Sequence, residues 1–184
     1  MLIKKLCLYK RLDKNALVVI DFYNIYCYLI NFKKYRTFSI ENWNNTMKCI
    51  LKTFKHNDII LVSKPIFEIN EQHIINFTKN TRRLSYMIIE DKYHIKSLNR
   101  ERDDYTCIML QYIFTLKNRK CIIISNDRYL NYNEIINDTK DFNIRLYKSN
   151  KIHNTNYTSK NIKDNFIKLK NNQSNVLKNK IFFK

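Results

Sequence analysis

Three acidic positions in this chain fall where carboxylates could do shared chemistry. Asp21 closes the apolar run Ala16 to Ile20, Asp103 and Asp104 stand together before an amphipathic stretch, and Asp127 follows Cys121-Ile-Ile-Ile-Ser-Asn. Carboxylates gathered in one cleft repel one another, and a divalent cation relieves that repulsion. Hard oxygen ligands with water in the remaining positions suit Mg²⁺ or Mn²⁺. Such an ion lowers the pKa of a bound water and stabilises charge on a phosphoryl oxygen during in-line attack. Each acid also has a plainer use: Asp103 and Asp104 as helix caps, Asp127 as a turn residue. Asp21 is harder to explain that way, because an unpaired carboxylate at the end of a buried strand is costly.

Meeting in one cleft requires particular elements. Ala16–Ile20 and Cys121–Ile124 are continuous apolar runs, the pattern of strands buried on both faces of a parallel sheet. Ligands in open α/β sheets bind outside the carboxyl ends of such strands. If these two strands are neighbours, the acids converge.

The remaining periodicity fits this scheme. Ile25, Tyr28, Leu29 and Phe32 predict a helix after Asp21, closed by Lys33, Lys34 and Arg36 at its negative end. Ser39 is the expected N-cap of a second helix carrying Ile40, Trp43, Met47, Ile50, Leu51 and Phe54. Strands follow at 59–62 and 84–89, with a helix over 67–80 between them. After a charged connection from Lys92 to Arg102, Tyr105, Ile108, Met109, Tyr112, Ile113 and Leu116 form the clearest helical stripe. A short helix over 131–138 and a strand over 142–147 complete the set. Strands alternating with helices imply an α/β fold, a three-layer α/β/α domain with a mostly parallel five-stranded sheet. The expected organisation is a basic lead-in over 1–15, the domain over 16–148, and a basic tail over 149–184. From Lys148 onward, nine lysines face Asp164 as the one acid. The tail reads either as an arm that tracks phosphates or as a docked helix.

Composition narrows the partners. The 184 residues carry 34 Lys and Arg against 16 Asp and Glu, a formal charge of +18. So basic a domain points to a polyanion, nucleic acid before membrane. Glycine is absent and proline occurs once, as Pro65. Glycine-based phosphate loops and dinucleotide fingerprints are therefore excluded, and turns must rest on Asn, Asp and Ser. The five cysteines form no CxxC, so reduced thiols are expected rather than a disulfide framework or zinc site. No apolar run reaches the ~18–20 residues that span a bilayer, and the N-terminus lacks signal-peptide features. An intracellular location, cytoplasmic or nuclear, is the expectation.

Val-Val-Ile-Asp-Phe-Tyr-Asn (18–24), Arg-Asp-Asp-Tyr (102–105) and Ile-Ile-Ile-Ser-Asn-Asp-Arg-Tyr (122–129) resemble, in order and approximate spacing, the three motifs of PIN-like nucleases. The branch most similar is the NYN/Regnase-type endoribonuclease domain. The resemblance implies a Mg²⁺- or Mn²⁺-dependent hydrolase that cleaves single-stranded RNA by metal-activated water attack. It implies Asp21, Asp104 and Asp127 as metal-site acids with Asp103 beside them, Asn24 orienting Asp21 or the substrate, and Ser125 and Asn126 shaping the turn. Around the cleft, Lys92, Tyr93, His94, Lys96, Arg100, Arg102, Arg128 and Tyr129 offer phosphate contacts and stacking surfaces, with Ser125 and Asn126 alongside. Two positions depart from the family pattern. Phe22 replaces a small residue, which would narrow the cleft or offer a base a stacking face, and Asn131 replaces a further acid. A non-catalytic RNA-binding or protein-interaction module is the alternative, and a DNA-flap nuclease ranks last. Homodimerisation is left open.

Overall fold

Leu17–Asp21 (β1) is buried along its whole length and lies at the centre of the sheet. A computed structural model of the chain describes residues 13–30, 38–91, 102–126, 142–148, 151–157 and 180–182. β1 passes directly into the helix Phe22–Leu29 (α1). There follow Ile40–Thr53 (α2), Ile59–Ser63 (β2), Glu71–Lys79 (α3), Leu84–Asp91 (β3), Arg102–Leu116 (α4) and Cys121–Ser125 (β4). Phe142–Lys148 (β5), Lys151–Tyr157 (β6) and Lys180–Phe182 (β7) complete the described elements.

The protein is α/β. β3, β2, β1 and β4 lie side by side in that order, all parallel. Within β1, side chains alternate between two apolar clusters, as a strand covered on both faces requires. Val18 and Ile20 pack with Phe22, Ile25 and Tyr26 of α1, Trp43, Met47 and Ile50 of α2, and Ile74 of α3. Leu17 and Val19 pack with Cys107, Ile108 and Met109 of α4. The chain moves outward from β1 to β2 to β3, then returns through α4 to β4 on the other side of β1. Constant crossover handedness demands that this returning helix cover the opposite face, and it does.

The connections show how a glycine-free chain turns. Ser39 and Asn70 cap α2 and α3, their side-chain oxygens accepting from the amides of Asn42 at 3.1 Å and His73 at 2.9 Å. Asn118 takes φ 55° just beyond α4, and the Arg119 amide reaches back to the Phe114 carbonyl at 2.9 Å, closing the helix end. Arg83 donates to the carbonyls of Leu51, Phe54 and Asn57, satisfying the carboxyl end of α2 with a cation.

Several expectations need correction. Among the described residues the sheet has seven strands rather than five, and β5 runs antiparallel to β3. The region read as a tail contributes β6, antiparallel to β5, and β7, parallel to β4. Both are edge strands held by backbone pairing, so they need no apolar pattern, and Lys-Ile-His-Asn-Thr-Asn-Tyr shows none. In α1 the buried face is Phe22, Ile25, Tyr26 and Leu29, one step round from the predicted stripe. That helix ends at Leu29, and the expected basic closure at 33–36 lies outside the described residues, as does the segment 131–138. No helix among the described residues is long and apolar enough to cross a membrane. The described cysteines, Cys27, Cys49, Cys107 and Cys121, are reduced.

Candidate metal centre

β1 and β4 are neighbours, paired from Leu17 with Cys121 to Ile20 with Ile124. The condition for convergence is therefore met. Asp21 stands at the carboxyl end of β1, at the point where the strand order reverses. α4 lies over β1 and β4, and its first turn carries Asp103 and Asp104. One carboxylate oxygen from each of Asp21, Asp103 and Asp104 lies within 4.8 Å of the other two, and all three residues are buried. These three can hold a metal ion.

Asp21 is held from several sides. The Ser125 hydroxyl, buried at the end of β4, donates to Asp21 Oδ2 at 2.7 Å. The other oxygen, Asp21 Oδ1, is buried without a hydrogen bond. An orphaned anionic oxygen in so dry a place is expensive unless a cation or a proton satisfies it. Burial pushes the Asp21 carboxyl up from 3.8 to about 7, and the neighbouring Asp103 adds to the rise. The Ser125 hydroxyl, the Asn24 backbone amide and Lys64 oppose it. Asp103 is likewise pushed upward by burial, against the pull of Lys64 and nearby backbone amides.

Lys64, which belongs to none of the three motifs, joins the cluster. It directly follows β2, the other neighbour of β1, and its Nζ lies 3.2 Å from Asp103 Oδ1 and 5.7 Å from the centre of the Tyr23 ring. Its side chain is 28% exposed, against 4% for Asp103. The signal that could have found it is positional: a residue following an apolar strand adjacent to β1 must emerge at the same sheet edge.

The other predicted residues separate as follows. Ser125, expected to shape the turn and line an RNA track, is buried and bonded to Asp21. Asn24, on α1, acts on Asp21 through its backbone amide. Phe22 neither narrows the cleft nor offers a stacking face. It is fully buried, stacked on Tyr26 at 5.7 Å between ring centres and edge-on to Trp43 and Tyr86. α1 begins immediately after Asp21, which turns the next side chain into the core instead of the cleft. Asn126 is exposed beyond β4, and Arg102 is the first residue of α4. Asp127, Arg128, Tyr129, Asn131, Lys92, Tyr93, His94, Lys96 and Arg100 lie outside the described residues.

The donor set is all carboxylate, two of its members resist ionisation, and one buried oxygen has no partner. A hard divalent cation fits each of these conditions. No family model, curated protein or solved structure matches the chain.

Proposed function

We propose that the protein is a metal-dependent endoribonuclease of PIN-like type that cleaves single-stranded RNA inside the cell. The observation that carries this reading is the convergence of buried Asp21, Asp103 and Asp104, with the orphaned Asp21 Oδ1, at the carboxyl edge of the sheet beside β1 and β4. The formal charge of +18 supports a polyanionic substrate. Three residues would hold Mg²⁺ or Mn²⁺: Asp21, Asp103 and Asp104, with Asp127 as the fourth candidate from the sequence. When bound, such an ion activates water and stabilises charge on the phosphodiester. Ser125 keeps Asp21 in one orientation, and the Asn24 amide favours its charged form. Lys64 offsets part of the negative charge of the cluster.

That same ion pair favours a second reading. An ammonium already beside Asp103 is what a retired metal site would keep, leaving a non-catalytic RNA-binding module. One experiment separates the two. Purified protein is incubated with labelled single-stranded RNA, duplex RNA and single-stranded DNA, in Mn²⁺ or EDTA, beside Asp21→Asn and Asp104→Asn. The nuclease reading expects Mn²⁺-dependent cutting of single-stranded RNA that both variants lose. Undiminished cutting by the variants refutes the mechanism, and RNA binding indifferent to Mn²⁺ without cutting establishes the second reading.

A further inference from the structure

The connection from β2 to α3 leaves the sheet at the same edge as the acids. It starts with Lys64, which reaches Asp103. Ile66 and Ile69 are buried in the core, and the Ile69 amide donates to the Ile66 carbonyl at 3.0 Å, closing a turn. Asn70 then caps α3. The segment is thus fastened at Lys64, Ile66, Ile69 and Asn70. Between these fastenings Phe67 is 99% exposed. Among the described residues one other large apolar side chain is exposed, Ile40, and only to 38%. A phenyl ring kept wholly in water gains nothing from folding, although Ile66 before it and Ile69 after it reach the core. Phe67 is three steps along the chain from Lys64, so their Cα atoms are at most about 11 Å apart.

We propose that Phe67 is a stacking platform for an unpaired base of a nucleic-acid strand whose phosphates pass Lys64 and the acid cluster. The inference rests on the reading of the protein as RNA-binding, and it names the element that favours single strands. A ring on a fastened turn loses little freedom when a base settles on it. Duplex bases, already stacked on one another, cannot use it. Glu68, the next residue, is exposed; burial raises the Tyr23 and Tyr26 phenols of α1, and the Glu68 charge adds a smaller part. The chain's charge of +18 favours a polyanion over a protein as the occupant.

The test measures binding of the full chain in EDTA, where nothing is cut, to labelled single-stranded and duplex RNA. Wild type, Phe67→Ala and Phe67→Trp are compared, and melting curves are recorded for each. Loss of one base–aromatic stack weakens single-strand binding about 5- to 150-fold in Phe67→Ala. Phe67→Trp retains wild-type affinity, duplex binding is unchanged, and all three proteins melt together. A 2-aminopurine in the strand is quenched by wild type and not by Phe67→Ala. Equal single-strand affinity in wild type and Phe67→Ala overturns the proposal and turns attention to a protein partner for the ring. An equal loss for duplex and single strand also overturns it. Cleavage in Mn²⁺ is followed in parallel. A protein that never cuts but needs Phe67 for single strands keeps the platform and loses the nuclease. One that cuts with Phe67 irrelevant to binding does the reverse.

Discussion

Replacing Asp21 with Asn should abolish metal binding and, in the absence of metal, stabilise the protein at alkaline pH. Burial and Asp103 raise the Asp21 carboxyl from 3.8 to about 7. Below the unfolded value, folded and unfolded chains both hold the proton. Between the two values only the folded chain holds it, so stability falls as pH rises through this window and is lost above about 7. Each tenfold change in the acid dissociation constant is worth 1.36 kcal/mol, so the whole fall is about 4 kcal/mol. Asn carries no proton to lose. Its carbonyl can still accept from Ser125, and its amide can face Asp103. In EDTA at pH 8.5, Asp21→Asn should therefore exceed wild type by about 2–4 kcal/mol, while at pH 4 the two should nearly coincide. Urea unfolding followed by circular dichroism across this range measures the difference; titrations of groups remote from Asp21 cancel between the two proteins, whereas that of Asp103, whose charge acts on Asp21, does not. At pH 8.5, Mn²⁺ at 100 times its Kd should return about 2.7 kcal/mol to wild type and nothing to the variant. A variant no more stable than wild type at pH 8.5 in EDTA would refute the argument that Asp21 is a buried carboxylate awaiting a cation.

Three further outcomes follow from the same geometry. Lys64→Met removes a cation 3.2 Å from Asp103, so at pH 8.5 Mn²⁺ should bind about 5- to 150-fold tighter, the equivalent of ~1–3 kcal/mol for a charged contact. Calorimetry that finds equal or weaker Mn²⁺ affinity would show that the two cations do not compete. Ser125→Ala deletes the donor to Asp21 Oδ2 and lets the carboxyl rise further. The pH at which Mn²⁺ binding is half-developed should then move up by about one or more, since a hydrogen bond to a charged group is worth ~1.5–3 kcal/mol. Asn57→Ala removes the amide that donates to the carbonyls of Asp13, Lys14 and Ala16. Stability should drop by about 2–3 kcal/mol, read by thermal melting, with Mn²⁺ affinity unchanged.

The parallel core was legible because two-face burial leaves an unmistakable trace: Leu17–Ile20 and Cys121–Ile124 have no polar position to mislead. Their adjacency was legible only as a condition, since pairing order is set by long-range packing rather than by either strand. Asp103 and Asp104 could be placed at a helix start by their position before an apolar stripe, and the fold then brought them to Asp21. Lys64, one of 34 basic residues, has no local mark, and its position after β2 becomes informative only once β2 is known to lie beside β1. The direction of Phe22 was misread because the abrupt strand-to-helix passage, which decides it, has no sequence signature of its own. β6 escaped because an edge strand needs only backbone partners.

β1 runs into α1 without a single intervening residue, so Asp21 has no loop on which to move. Its main chain belongs to the central strand, flanked on both sides by β2 and β4. Amide exchange across Val18–Asp21 should therefore proceed only through global unfolding, with no faster local opening at the acid. The centre cannot close around a substrate by rearranging this carboxylate. Any induced fit must come from elements at the rim, and the acid is a fixed point against which they move.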